Sequence, residues 1–301
     1  MTTLTSRPAK GAGEPAPARQ RPGGPRVTAV LVVRDAAPWL GENLDALARQ
    51  TRLPDRLVVV DLSSSDDSLE IVRGDQRLRA SIADMTVLRA HRGTSFGEAV
   101  RQALAPGVLE PAPDEQDEEE GLRTEWVWML HDDSAAAPTA LLRLLEAVGR
   151  SPSVGVAGPK VVQWDNPRNL VEVGHQLTRS GRPVAAPRPG EPDQGQYDTR
   201  TDVLAVGTCG MLVRRDVFED IGGFDPAFAE HGGALDFGWR AQLAGHRVIV
   251  VPGAQLRDAS SARTGVVADA PVADRERRAA RRAVRRAARR VALTRCATWA
   301  A

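Results

Sequence analysis

Short apolar runs alternate with amphipathic stretches from Val27 onward. Residues 27–33 are continuous and rich in β-branched side chains, as in a strand covered on both faces. Leu40, Leu44 and Leu47 then recur at helical spacing, which predicts a helix over 39–50. A second buried strand is expected at 57–60, ending in Asp61. A helix over 65–72 follows, with Ser64 or Ser65 as its cap and Asp66 and Asp67 in its first turn. The strand-then-helix pattern repeats at 85–88 and 96–104. A fourth strand at 126–130 delivers His131-Asp132-Asp133-Ser134 at its end, and Pro138 opens a helix through Leu141 to Leu145.

Strands alternating with helices at this spacing imply right-handed crossovers and a mostly parallel sheet, an α/β Rossmann-like half over 27–150. Beyond it the pattern is less regular. A strand at 154–157, a polar loop at 166–196, a segment at 203–206, helices at 215–221 and 235–243, and a strand at 247–251 make a smaller half over 151–258. The proline- and glycine-rich stretch 1–26 reads as a disordered leader, and residues 259–301 as a linker and basic helical tail. Residues 110–120 hold seven acids and no cation, a solvated loop.

Charge sharpens this division. Lys+Arg number 40 and Asp+Glu 39 over 301 residues, for a net charge of +1. Ten arginines stand between Pro271 and Ala301 against Asp274 and Glu276, and the leader is also cationic. The folded middle is therefore anionic. Two cysteines exclude a disulfide framework, no apolar run is long enough to span a bilayer, and the leader lacks a signal-peptide core. The expectation is a cytoplasmic protein or one at the inner face of the membrane.

In an open parallel sheet, ligands bind beyond the carboxyl ends of the strands, where Asp61 and Asp132-Asp133 stand. Paired carboxylates suit Mg²⁺ or Mn²⁺, which an anionic domain needs in order to meet an anionic diphosphate. The alternative is that these acids only cap the helix beyond.

The segments 27–35, 57–66 and 126–134 together resemble family 2 glycosyltransferases, which have the GT-A fold. Val33-Arg34-Asp35 matches the turn after the first strand, Val60-Asp61-Leu62-Ser63-Ser64-Ser65-Asp66 the pattern after the second, and His131-Asp132-Asp133 the Asp-x-Asp motif. Gly222-Gly-Phe-Asp-Pro-Ala-Phe228 resembles a family signature. Leu235-Asp-Phe-Gly-Trp-Arg-Ala241, with the strand ending at Pro252, resembles the acceptor-side helix and its sequel. The resemblance spans 27–258. It implies that Val33, Asp35 and Asp61 bind the nucleotide and that Asp133, assisted by Asp132, holds Mg²⁺ or Mn²⁺. Asp258 stands where some members have a metal-binding histidine. The implied reaction is inverting transfer from a nucleotide-diphosphate sugar to a glycan or lipid-linked acceptor of the cell envelope. Asp236 is the expected base, with Glu230 and His231 nearby, and Trp239 and Arg240 lie on the acceptor side. The pattern departs from the family where Gly233 and Ala234 replace the usual acids, His131 the first metal-motif acid and Leu62 a second base-binding Asp. A degenerate domain that binds without turnover is therefore the alternative.

Gly93-Thr-Ser95-Phe-Gly97 satisfies a nucleophile-elbow pattern between strand and helix, which admits a serine hydrolase with Asp225 and His246 as partners. No upstream His-Gly-Gly loop supports it. No Gly-x-Gly-x-x-Gly follows the first strand, which argues against nicotinamide chemistry. The arginine-rich tail admits a solvated helix or a helix on anionic lipid. Nucleic acid ranks below these for lack of interleaved aromatics.

Overall fold

The computed structural model describes residues 24–109, 124–178, 182–184, 187–228 and 232–259, together with Arg286 and Arg289 in the tail. Residues 1–23 of the expected leader and the acidic loop 110–120 lie outside the described residues, as do Glu230, His231 and the rest of the tail, while Arg26 at the leader's end already belongs to the first strand.

Four strands, β1 (Arg26–Val33), β2 (Arg56–Asp61), β3 (Asp84–Arg89) and β4 (Glu125–His131), pair in parallel in the order β3-β2-β1-β4. Their register aligns Val33 with Asp61 and Val32 with His131, so the chemistry-bearing ends share one edge. Helices α1 (Ala37–Ala48), α2 (Ser68–Gly74), α3 (Gln76–Ser81) and α4 (Phe96–Ala103) connect them. The continuous apolar runs are buried on both faces, as their composition predicts. Val27, Ala29 and Leu31 of β1 enter one core with α1, and Val30 and Val32 the opposite core with α4.

Beyond β4 come β5 (Ser134–Ala136), α5 (Ala140–Gly149), β6 (Val154–Gln163), β7 (Leu170–Glu172), β8 (Leu212–Arg214), α6 (Arg215–Asp220), a 3₁₀ turn Pro226–Phe228, α7 (Gly233–Leu243) and β9 (Arg247–Asp258). The sheet continues β4-β8-β6-β9-β5, with β7 also on β6, giving nine strands among the described residues. Here the parallel run breaks: β8 is antiparallel to both β4 and β6, while β6 and β9 pair in parallel. The result is a mixed α/β sheet with flanking helices, parallel in the first half and mixed in the second.

Several expected boundaries shift for identifiable reasons. The second helix begins at Ser68 rather than near Ser65, because Ser64 and Ser65 bond to Asp35 instead of capping. Segment 203–206 forms only one isolated bridge, Ala205 to His175, next to another at Asp202 to Ile249. Strands β6 and β9 run past Pro159 and Pro252, with a register shift at Pro159/Lys160.

Candidate functional site

The carboxyl ends of β1, β2 and β4 converge on a network of polar contacts that runs from buried Asp61 to exposed Arg92. Asp35 and Ser63, in the turns after β1 and β2, adopt positive φ of 50° and 52°, a conformation costly for residues other than glycine and one that clusters at functional turns. Asp35 accepts from the Ser65 amide at 2.8 Å and pairs with Arg92, while its own amide donates to Ser64 Oγ at 3.1 Å. The Arg92 guanidinium, followed by the Ser65 amide, lowers the Asp35 pKa to about 2. The carbonyl of Val33 accepts from Leu62 N at 2.8 Å. Asp61 is buried: Oδ1 accepts from Ser64 N at 3.0 Å, and Oδ2 lies 3.8 Å from Arg89 Nε with no hydrogen-bond partner. Val33, Asp35 and Asp61 thus form one constellation.

The turn after β4 is held from α1. Asn43 is buried and donates to the carbonyls of His131 (2.9 Å) and Ser134 (2.6 Å). Asp132 Oδ2 accepts from Arg34 N at 2.7 Å, which ties this turn to β1. Asp133 is joined to the end of β9: Ala259 N donates to its carbonyl at 2.9 Å, and Ser134 pairs with Asp258 across the β5–β9 ladder. Asp132, Asp133 and Asp258 are all buried. Burial raises the Cys209 thiol pKa well above its ordinary value, and the charges of Asp258 and Asp133 raise it further. No cluster of three or more His, Cys, Asp or Glu poised for a metal occurs among the described residues. A buried pair of carboxylates nevertheless fits a hard ion that completes its shell with substrate oxygens.

A cavity of about 480 Å³ opens beside this edge. Its lining includes Gly93–Glu98, Thr208, the Phe224–Pro226 turn, and Gly232, Gly233 and Ala234 at the start of α7. Thr208 Oγ1 lies 2.8 Å from His131 Nε2, and the His131 ring packs on Phe96 at 4.7 Å. The expected acceptor-side residues of α7 lie elsewhere. Asp236 is fully buried and accepts from Arg240 Nε at 2.7 Å. Arg240 also donates to the carbonyls of Ile221 (2.6 Å) and Gly223 (2.7 Å). Trp239 packs with Leu204, Ala205 and Phe228.

The hydrolase arrangement is not assembled. Ser95 Oγ accepts from Glu98 N at 3.3 Å and caps α4, with ordinary extended backbone at Ser95. His246 packs over Gly155 at the amino edge of the sheet, the opposite end from Ser95. Asn43, Ser68, whose Oγ accepts from Ala36 N at 2.8 Å, and Thr208 are site residues that sequence reasoning missed. Asn43 had a readable signal, a polar residue on the face of Leu40, Leu44 and Leu47.

The family model described as "Glycosyltransferase like family 2" matches residues 25–295. The chain belongs to this family. It is 31% identical over 146 residues to the galactofuranosyltransferase GlfT1 of Mycobacterium tuberculosis, a match covering 48% of this chain and 42% of that one. The chain thus matches less than half the length of that relative. It is also 26% identical over 248 residues to the N-acetylglucosaminyl-diphospho-decaprenol L-rhamnosyltransferase of the same organism, covering 78% and 76%. Among solved structures, GalNAc-T7 with UDP, GalNAc and Mn²⁺ superposes with a TM-score of 0.56 at 13% identity, covering 77% of this chain and 43% of that one. The mannosyltransferase PcManGT from Pyrobaculum calidifontis, with GDP-Man and Mn²⁺, gives 0.51 at 19% identity, covering 78% and 57%. The fold is thus GT-A.

Proposed function

We propose that this domain transfers a sugar, with inversion, from a nucleotide-diphosphate sugar to a hydroxyl of a cell-envelope glycan or lipid-linked acceptor, assisted by Mg²⁺ or Mn²⁺. The observation that carries this reading is Asp61 Oδ2, a buried carboxylate oxygen without a hydrogen-bond donor. Such an atom costs about 1–3 kcal/mol unless a donor arrives, and a nucleobase N–H is a suitable one. Val33 and Asp35 stand at the end of β1 and in the turn after it, tied to the segment after β2 through Leu62 and Ser64. Asp133 and Asp258, with Asp132 beside them, are the residues that would hold the ion, which when bound neutralises the leaving diphosphate. The acceptor named for the rhamnosyltransferase relative, an N-acetylglucosaminyl-diphospho-decaprenol, supports a lipid-linked acceptor. No helix among the described residues is long and apolar enough to cross a membrane. The arginine-rich tail supplies charge of the sign that anionic lipid attracts.

Asp236 in the role of base would first have to leave Arg240 and reach the cavity. Gly233 and Ala234, which line the cavity where family members carry acids, favour a second reading: sugar-nucleotide binding without turnover.

Titration calorimetry with UDP, GDP and dTDP, each with and without Mn²⁺, tests both readings. Metal-dependent binding of one nucleotide, weakened at least about 10-fold by Asp61→Asn and by Asp133→Ala, is the expected result. Failure of all three to bind refutes both. Flotation with anionic liposomes tests the tail: binding should fall with salt and with arginine-to-glutamine replacement.

A further inference from the structure

A line of side chains runs from the turn expected to hold the ion into the cavity. His131, the residue before Asp132 and Asp133, places its Nε2 2.8 Å from Thr208 Oγ1, and Thr208 is part of the cavity lining. We infer that Thr208 is a sugar-binding residue: its hydroxyl, held by His131, contacts the donor sugar in the cavity and sets how that sugar lies relative to the diphosphate. The inference rests on the transferase reading above. A group bonded to the residue before Asp132 stands nearest the part of the substrate that is joined to the diphosphate, which is the donor sugar.

The position of Thr208 is fixed from two sides. Toward the sheet, Gly210 N donates to the Met129 carbonyl at 2.9 Å and Met129 N to the Met211 carbonyl at 2.8 Å, so the segment that follows Thr208 runs beside β4, next to the end that carries the acids. Behind it, Glu172 Oε1 accepts from Gly207 N at 2.5 Å, and Glu172 Oε2 lies 3.2 Å from His175 Nε2. A Cβ on Gly207 would overlap Glu172 Oε2, so a side chain there would push the carboxylate off the amide. Backbone bonds from His175 N to the Ala205 carbonyl at 2.7 Å and from Leu204 N to the His175 carbonyl at 2.9 Å hold the same segment. Glu172 does not line the cavity and acts as a positioning residue, through Gly207.

The hydroxyl has capacity to spare. A threonine Oγ1–H offers one donor and two lone pairs, and the single bond to His131 leaves at least one lone pair in either ring tautomer. Thr208 is half-buried, so that lone pair can accept from a sugar hydroxyl. The His131 ring packs on Phe96 at 4.7 Å, which keeps Nε2 against Thr208. Phe96, Phe224 and Phe228 line the same cavity and give a sugar ring an apolar surface to lie on. The cavity's volume of about 480 Å³ is within the range of small-molecule sites, about 300–1,000 Å³.

Calorimetry on the full chain with Mn²⁺ tests the assignment, with UDP, GDP and dTDP set against UDP-galactose, GDP-mannose and dTDP-rhamnose. The ratio of the affinities for a nucleotide sugar and its matching diphosphate isolates the sugar. In Thr208→Val that ratio should fall about 5- to 10-fold, the worth of one hydrogen bond, with diphosphate affinity within a factor of about 2 of wild type. Thr208→Ser keeps the hydroxyl and should restore most of the ratio. Glu172→Ala should lower it in the same direction, and Glu172→Gln, whose amide oxygen can still accept from Gly207 N, should lower it less. An unchanged ratio in Thr208→Val, a parallel loss of diphosphate and nucleotide-sugar affinity, a Thr208→Ser protein as weak as Thr208→Val, or a wild type that binds a diphosphate but none of the nucleotide sugars would each overturn the assignment. Failure of every nucleotide to bind the wild type would instead strike the transferase reading itself, and this inference with it.

Discussion

Asp236 and Arg240 form an ion pair one turn apart on α7, with Oδ2 2.7 Å from Nε and the aspartate wholly out of solvent. Through its other nitrogens Arg240 holds the Ile221 and Gly223 carbonyls, so one side chain joins α7 to the turn that carries Asp225. A motif that resembles acceptor-binding chemistry thus works in this fold as a brace for the cavity wall. Removing one member of a buried pair leaves the other uncompensated, at about 3–5 kcal/mol. Arg240→Met should therefore lower unfolding stability in urea by about 3 kcal/mol, and Asp236→Asn by less, because Arg240 keeps its two carbonyl partners. A neutral outcome for both would remove the brace.

Asn43 makes a second brace, from α1 to the turn after β4. Its amide satisfies the His131 and Ser134 carbonyls on either side of Asp132 and Asp133. Asn43→Ala strands buried acceptors, a loss of about 2 kcal/mol, partly offset at His131 by the Ser134 hydroxyl at 2.8 Å. Because that turn carries the expected ion-binding acids, Mn²⁺-dependent nucleotide affinity should fall more than metal-free affinity. Equal falls would show that the turn keeps its shape without Asn43.

The parallel half was legible because its strands are unbroken apolar runs, which only a two-sided burial explains. The second half was not, and particular residues show why. Strand β8 has three residues, too few for any period, yet it reverses the sheet direction. The expected strands stop at 157 and 251, before Gly158-Pro159 and Pro252-Gly253, but β6 and β9 continue past these pairs, with a register shift at Pro159/Lys160. Ser64 and Ser65 look like helix caps because serine favours that place; the positive φ of Asp35, which recruits them, leaves no local trace. Asp61, Asp132 and Asp133 were legible as strand-end carboxylates from their place after buried strands, whereas the contribution of Thr208 and Asp225 to one cavity depends on tertiary contact alone.

Gly97 sets how closely α4 packs on Phe224. A Cβ built on it would lie 2.7 Å from Phe224 Cβ, in a region where Phe224 is buried. In α4, alanine gains about 1 kcal/mol of helix propensity over glycine, but overpacking of this kind costs about 1–3 kcal/mol. The clash should win, so Gly97→Ala is expected to lower stability by up to about 2 kcal/mol and to shift α4 relative to the Phe224 turn. A stabilised Gly97→Ala protein, measured by thermal unfolding, would mean that Phe224 moves aside freely.

Glu172 and His175 set a pH dependence away from the strand ends. Glu172 Oε1 accepts from Gly207 N at 2.5 Å, and its Oε2 lies 3.2 Å from His175 Nε2, so the pair anchors the segment that carries Thr208 to the cavity. For Glu172, burial raises the pKa, but the charge and hydrogen bond of His175 and the Gly207 amide outweigh it and the net shift is downward. For His175, removal from water lowers the pKa, and the Glu172 charge and hydrogen bond overcome that, raising it above 6.5. The raised histidine stabilises the fold fully below its unfolded pKa, and that contribution is lost as pH rises through the folded value. The lowered glutamate stabilises above its unfolded pKa of 4.5, and that part is lost as pH falls through its folded value. Stability from the pair is therefore greatest between about pH 5 and 6 and declines as pH passes above neutrality. His175→Gln should flatten both sides of the stability profile measured by urea unfolding, because the imidazole charge it removes is also the largest influence lowering the Glu172 pKa. An unchanged profile would show that the imidazole carries no charge in the folded protein.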